Sequence, residues 1–154
     1  MSEPTDRIDR DVRPYRTVTP YLLYEDVAAA LAWLSDAFGF RERLRFTDED
    51  GTVNHAEMLV GDDGVIMLGH PGPDYRNPRN SGAASALVHV VVDDVEEHFA
   101  RARAAGAEVL LPPTEQEYGD RRCDILDPEG HLWSFAERVR QVPPEAWGAV
   151  TSEG

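Results

Sequence analysis

Apolar positions along the chain change period several times, and the succession of changes occurs twice. TVTPYLLY at 17–24 is rich in β-formers and predicts a strand, with Pro20 placing it at an edge or a strand start. Asp26 then offers a helix N-cap, and Val27, Leu31, Leu34 and Phe38 recur at helical spacing up to Gly39, which suits the left-handed residue after a helix. Strands follow at about 40–47 and 52–60, joined by the turn Asp48-Glu49-Asp50-Gly51. The turn Gly61-Asp62-Asp63-Gly64 leads into VIMLG at 65–69. From His70 to about Ala84 no apolar period survives, and Pro, Gly and Asn predict a loop.

The programme then restarts. ALVHVVV at 86–92 predicts a strand, and Asp94 caps a helix with Glu96 and Glu97 at its start and Arg101 and Arg103 towards its end, matching the helix dipole. Gly106 ends that helix, EVLLPP opens the next strand, and GDRRCDIL runs into the turn Asp127-Pro128-Glu129-Gly130 before HLWSFAE closes the unit. The halves superpose: Glu25-Asp26-Val27 on Asp93-Asp94-Val95, Gly39 on Gly106, and the Gly61 turn on the Asp127 turn. The offset shrinks by one residue at each landmark. Two copies of a β-α-β-β-β unit therefore make one α+β domain, each needing the other to bury its apolar face. Module one is expected over 17–69, a linker over 70–84 and module two over 85–137, with a flexible arm at 1–16 and a tail at 138–154.

Composition narrows the partners. The net charge of −14, with fifteen arginines and no lysine, repels a phosphate backbone and excludes nucleic acid. No apolar run approaches a membrane span, and MSEPTDRIDRDVRPYR lacks the apolar core of a secretory signal. The single cysteine, Cys123, cannot form an internal disulfide and suits a reducing compartment, so the cytoplasm is expected.

The phrases TVTPYLLYEDVAAALAWLSDAFGF, HAEMLVGDDGVIMLG, HVVVDDVEEHFARARAAGAEV and YGDRRCDILDPEGHLWSF, spanning about 17–137, resemble the vicinal oxygen chelate superfamily of glyoxalase I, bleomycin-resistance proteins and extradiol dioxygenases. Within it they look most like the PhnB-like or bleomycin-resistance-like branch. The resemblance implies a curved mixed sheet around a cleft, helices on the outer face, and a homodimer. It also implies that metal-bearing members carry ligands at positions matching Thr19, Leu87, Leu68 and Ser134 here. None is His, Glu, Gln or Asp, and shifting the register by one residue supplies none either. Leucine has no lone pair and hydroxyls are poor primary ligands, so neither metal nor other cofactor is expected.

Strand parity selects the polar candidates. His89 shares a face with Leu87 and is either an acid–base or hydrogen-bonding group of the cleft or a core histidine satisfied by a neighbour. His55 and Glu57 share a face opposite Ala56 and Met58. They either look into the cleft, where a desolvated Glu57 can hold a cationic or hydroxylated ligand or act as a base, or form the wetted side of a sheet. A relocated metal on His55, Glu57 and His89 is a further arrangement that spacing alone does not establish. Arg121 and Arg122 are neighbours, so one faces the cleft; Arg121 is taken as an anion grip, against a surface pair with Asp120 or Asp124. Tyr21 shares parity with Thr19 and can stack on a ligand, Ser134 faces the cleft, and Trp33 and Trp133 belong to packing. Cys123, mid-strand, reads as a small buried hydrophobe.

These features lead to a metal-free protein that binds a small organic molecule, a drug or metabolite, in the inter-module cleft through Tyr21, His55, Glu57, His89, Arg121 and Ser134, as in antibiotic resistance by sequestration. The alternative is a divergent lyase, isomerase or dioxygenase, with His89 and Glu57 as catalytic candidates around a relocated metal or as metal-free acid–base groups. A third reading is a vestigial cleft on an assembly domain.

Overall fold

The computed structural model describes residues 16–152, so all but Arg16 of the arm expected at 1–16 lies outside the described residues. Module one contributes β1 (Tyr21–Leu23), α1 (Val27–Phe38), β2 (Arg41–Thr47), β3 (Val53–Val60) and β4 (Gly64–Gly69). After a short α2 (Pro78–Ser81), module two contributes β5 (Leu87–Val91), α3 (Val95–Ala104), β6 (Glu108–Glu115), β7 (Asp120–Leu126) and β8 (Leu132–Arg138). The strands form two mixed four-stranded sheets, β1-β4-β3-β2 and β5-β8-β7-β6, which do not close into a barrel. In each, the first and last strands of the module run parallel and the other neighbours antiparallel. No helix among the described residues is long and apolar enough to cross a membrane.

Local chemistry explains the boundaries. Asp26 accepts a hydrogen bond from the Ala29 amide and Asp94 one from the Glu97 amide, filling donors that the first helical turn leaves unpaired. Gly39 closes α1 in the left-handed region at φ 73°, where a side chain would be strained. α3 stops one residue earlier than the glycine signal indicated, with Ala105 as its cap and Gly106 following at φ 89°. α2 sits inside the stretch expected to be loop: Asn77 caps the Asn80 amide and Pro78 pre-sets the first turn, too short a unit to show an apolar period. Beyond β8 the tail makes a 3₁₀ turn over Pro144–Trp147 that sets Trp147 edge-on to Tyr118.

Each sheet turns one face to its own helix and keeps the other open. Ala56, Met58, Ile66 and Leu68 meet α1, while Cys123, Ile125, Trp133 and Phe135 lie on the α3 side, all of them buried. α1 also packs on α3, so the two helix-covered faces share one core. Phe38 joins the halves, its ring centred 4.7 Å from Phe135 and 5.4 Å from Trp133. Such aromatic burial contributes roughly 2–3 kcal/mol per side chain and ties each module's stability to the other's presence.

A polar knot fastens the same junction. Asp127, 1% exposed, accepts from Tyr24 Oη at 2.7 Å and Trp133 Nε1 at 3.1 Å on one oxygen. Its other oxygen accepts from the Glu129 and His131 amides. Burial first, then the neighbouring carboxylate, pushes the Tyr24 phenol well above its usual range. Glu129 in turn reaches into module one, accepting from the Glu25 and Asp26 amides at 2.6 and 3.0 Å and from Asn77 Nδ2 at 2.8 Å.

Candidate functional site

The open face of the first sheet follows from strand alternation: Tyr21 and Leu23 on β1, Leu44 and Phe46 on β2, His55 and Glu57 on β3, Met67 and Gly69 on β4. Tyr21 is 50% and Phe46 59% exposed, an uncommon position for large apolar side chains. On the second sheet the matching face carries Leu87, His89 and Val91 on β5, Arg122 and Asp124 on β7, and Ser134 and Ala136 on β8. Between the unpaired edges of β1 and β5 runs a groove of about 570 Å³, with Tyr21 and Leu23 on one wall and Leu87 and His89 on the other. Tyr75 and Arg76 from the linker border it, and Tyr75 Oη donates to the Leu23 carbonyl at 2.9 Å.

Four polar side chains of module one join in a row running inward from this groove. Tyr21 Oη lies 2.7 Å from His55 Nδ1, His55 Nε2 lies 3.3 Å from Glu57 Oε2, and Glu57 Oε1 lies 3.2 Å from the Arg43 guanidinium. The Glu57 carboxylate, held against Arg43, faces His55 Nε2, and the direction of the Tyr21–His55 hydrogen bond follows the form of the imidazole. Exposure falls along the row, from Tyr21 at the rim to Glu57 at 4%. Glycine makes the geometry attainable: Gly69 is the β4 partner of His55, and a Cβ there would come within 2.5 Å of Tyr21 Cε1 and 2.8 Å of its hydroxyl. The missing side chain lets the phenol lie across β4 to the imidazole. Arg43 reaches the same row where the β2–β3 register slips between Glu42 and Leu44.

Module two carries a different group at the equivalent place. As Glu57 pairs with Met67, Asp124 pairs with Ser134, next to His89 on β5. Arg122 donates to Tyr118 Oη at 2.9 Å and stands 3.3 Å from Asp124, but that ion pair is misaligned. Arg122 Nε, Asp124 Oδ1 and the Ser134 hydroxyl are buried without a hydrogen-bond partner. Arg122 and Asp124 still face each other as an ion pair, so the Ser134 hydroxyl is the atom of the three with neither hydrogen bond nor ion pair, at a cost of about 1–3 kcal/mol.

The structure therefore brings Tyr21, His55 and Glu57 together, sets His89 beside Ser134 on the other wall, and leaves Arg121 apart. Arg121 lies on the opposite face of β7, 2.7 Å from Glu96 of α3, because Cys123 and Ile125 fix the phase of that strand by facing the core. Arg122 is the arginine on the open face. Arg43, Asp124 and Tyr118 were missed by sequence reasoning. Period-two alternation pointed to the face of Asp124, whereas the Arg43 bulge and the Tyr118 loop carry no periodic signal.

The positions of the family's metal ligands do not fit a metal. Leu68 is buried on the helix side, so the register puts Met67 on the open face in its place, opposite Tyr21 as Ser134 stands opposite His89. Leucine, a thioether and a hydroxyl make no ligand set for zinc, manganese or iron(II). Both nitrogens of His55 are already engaged, and no three His, Cys, Asp or Glu side chains gather as a metal group among the described residues. Cys123 is buried, and burial with Asp124 nearby pushes its thiol to about 11, away from nucleophile chemistry.

Comparison with known proteins fits this architecture. Residues 16–135 match the family model described as glyoxalase/bleomycin resistance protein/dioxygenase superfamily. An uncharacterised protein of Mycobacterium bovis is 32% identical over 143 residues, covering 89% of this chain and 93% of its own. The crystal structure of TioX from Micromonospora sp. ML1 is 36% identical with a TM-score of 0.67, covering 81% of this chain and 100% of that one. The fosfomycin resistance protein FosX of Listeria monocytogenes, solved with Mn(II) and sulfate, shares the fold at 15% identity and a TM-score of 0.58 over 79% of this chain and 89% of its own. Sequence motifs, paired sheets and these matches agree: the chain belongs to the glyoxalase/bleomycin resistance protein/dioxygenase superfamily.

Proposed function

We propose that this protein binds a small, flat organic molecule in the groove between its modules without a metal, holding a drug or metabolite in the cytoplasm. The observation that carries this reading is a groove of ligand size with Tyr21, Leu23 and Leu87 on its walls, continuous with an open sheet face that exposes Leu44 and Phe46. Glu57 is already balanced by Arg43, so that face favours a neutral ring system over the cation a lone buried carboxylate would select. The Ser134 hydroxyl, with the Arg122–Asp124 ion pair beside it, offers the ligand's polar end a place on module two. A homodimer, in which a second copy covers what the ligand leaves open, accords with the same exposed side chains.

Native mass spectrometry of tag-free protein purified without chelator tests this directly. A metal-free dimer retaining an organic adduct is expected. One metal ion per chain would overturn the metal-free reading. A monomer from which no flat organic compound lowers the intensity of its own signals in ligand titrations would overturn the binding reading.

A further inference from the structure

We propose that a pocket on the α1 side of the molecule, between the first turns of that helix and the turn Asp127-Pro128-Glu129, is a second ligand site and takes a small quaternary ammonium group. The pocket shares no lining residue with the groove, so the inference stands apart from what the groove binds. It measures about 180 Å³ and is walled by Tyr24, Ala29, Trp33 and Leu34 from module one and by Asp127 and Glu129 from module two. Apolar cavities of about 150 Å³ stay dry and admit a benzene ring, and a trimethylammonium head has similar bulk.

Charge selects the ligand. Asp127 is 1% exposed, and its four acceptor positions are filled by Tyr24 Oη, Trp133 Nε1 and the Glu129 and His131 amides. Glu129 is held by the Glu25 and Asp26 amides and by Asn77 Nδ2, which leaves it at most one free position. Every one of these donors is neutral, and neither carboxylate forms an ion pair among the described residues. The N-terminus of α1 supplies only about half a unit of positive charge, and Asp26 at its cap adds a further negative one. Arg79 rests on the Pro128 and Asp127 carbonyls, but its charge is met by Glu108 at 3.4 Å. The Tyr24 phenol, raised first by burial and then by Asp127 and Glu129, registers the same negative field. A ligand that suits this pocket brings positive charge without hydrogen-bond donors. A methylated ammonium does so: its surface is apolar like Ala29 and Leu34, and its charge is drawn to the carboxylates and to the π systems of Tyr24 and Trp33. A primary ammonium would give up its hydration with almost no acceptor to replace it.

Choline chloride serves as probe, and 3,3-dimethylbutan-1-ol, in which carbon replaces the nitrogen and the charge is lost, as its control. The three tryptophans give three indole N–H signals in ¹H–¹⁵N spectra. Choline should shift those of Trp33, which lines the pocket, and Trp133, whose Nε1–H binds Asp127, and leave that of Trp147 on the tail in place. The uncharged control should bind about tenfold more weakly or worse, and Trp33→Leu should weaken choline by about tenfold while Trp33→Phe restores most of the affinity. Ala29→Leu, at an exposed helical position, should keep the fold, fill the pocket and abolish the shift at Trp133. Equal affinity for choline and its control would overturn the cationic class of ligand. Choline shifts that survive Ala29→Leu, that fall on Trp147 alone, or that do not occur in the wild type would overturn the site.

Discussion

Gly69→Ala separates the geometry of the Tyr21–His55 contact from the stability of the fold. The added methyl would sit 2.5 Å from Tyr21 Cε1, about 1 Å inside ordinary carbon contact. The neighbour it meets is a half-exposed side chain on an edge strand, so the ring swings into the groove and the sheet stays put. The swing breaks the phenol–imidazole hydrogen bond, a net loss of about 1 kcal/mol, with some ring contact besides. Replacing glycine by alanine in extended backbone returns about 0.4–1 kcal/mol through the unfolded state. The two nearly cancel, so urea unfolding should register a change of no more than ~1 kcal/mol and melting a shift of at most ~4 °C. The His55 ¹⁵N signals should nonetheless move to those of Tyr21→Phe, and combining both substitutions should move them no further. Gly69→Ala protein that keeps the His55 ¹⁵N signals of the wild type would refute the reasoning.

Other expectations follow from the core. Asp127→Asn sets an amide donor against Trp133 Nε1–H and Tyr24 Oη, stranding at least one buried donor; urea titration should show a loss of roughly 2–4 kcal/mol. Burial, with Arg101 nearby, lowers the His98 imidazole to about 4 from an ordinary 6.5, so the unfolded chain takes up its proton first as pH falls. Stability from this group is complete above about pH 6.5 and lost towards pH 4, roughly 3 kcal/mol in all, and His98→Gln should flatten that slope in acid titrations. Cys123, with its thiol pushed to about 11, should resist alkylation at pH 8 until urea unfolds the chain; rapid labelling of native protein would contradict its burial.

Much of the architecture was legible because each module repeats caps and turns that act locally. Asp26 and Asp94 announce their helices by chemistry that needs no tertiary context. Alternation put Tyr21, His55 and Glu57 on one face for the same reason. What stayed hidden depends on phase and irregularity. Choosing Arg122 over Arg121 requires knowing which way Cys123 points, and preferring Met67 to Leu68 requires the β1–β4 register. Arg43 reaches Glu57 through a bulge, and Asp127 looks like an ordinary turn aspartate until Tyr24 and Trp133 close over it. That Gly69 must be glycine follows only from a tyrosine crossing above it.

The Glu129 contacts also bear on how a duplicated chain loses its symmetry. The turn of module two clasps the beginning of α1, yet the corresponding turn of module one leaves Asp62 and Asp63 exposed, and the Val95 amide at the head of α3 is instead met by Glu137. The halves have become lock and key where they once could have been interchangeable. Two separately produced fragments, cut between Gly82 and Ser85, should therefore find each other and reassemble in one orientation, and two copies of either half alone should not replace the pair. A circular permutant with module two first would keep the clasp, which acts through space, and would give up only the register that the linker imposes through Asn77 and Arg79.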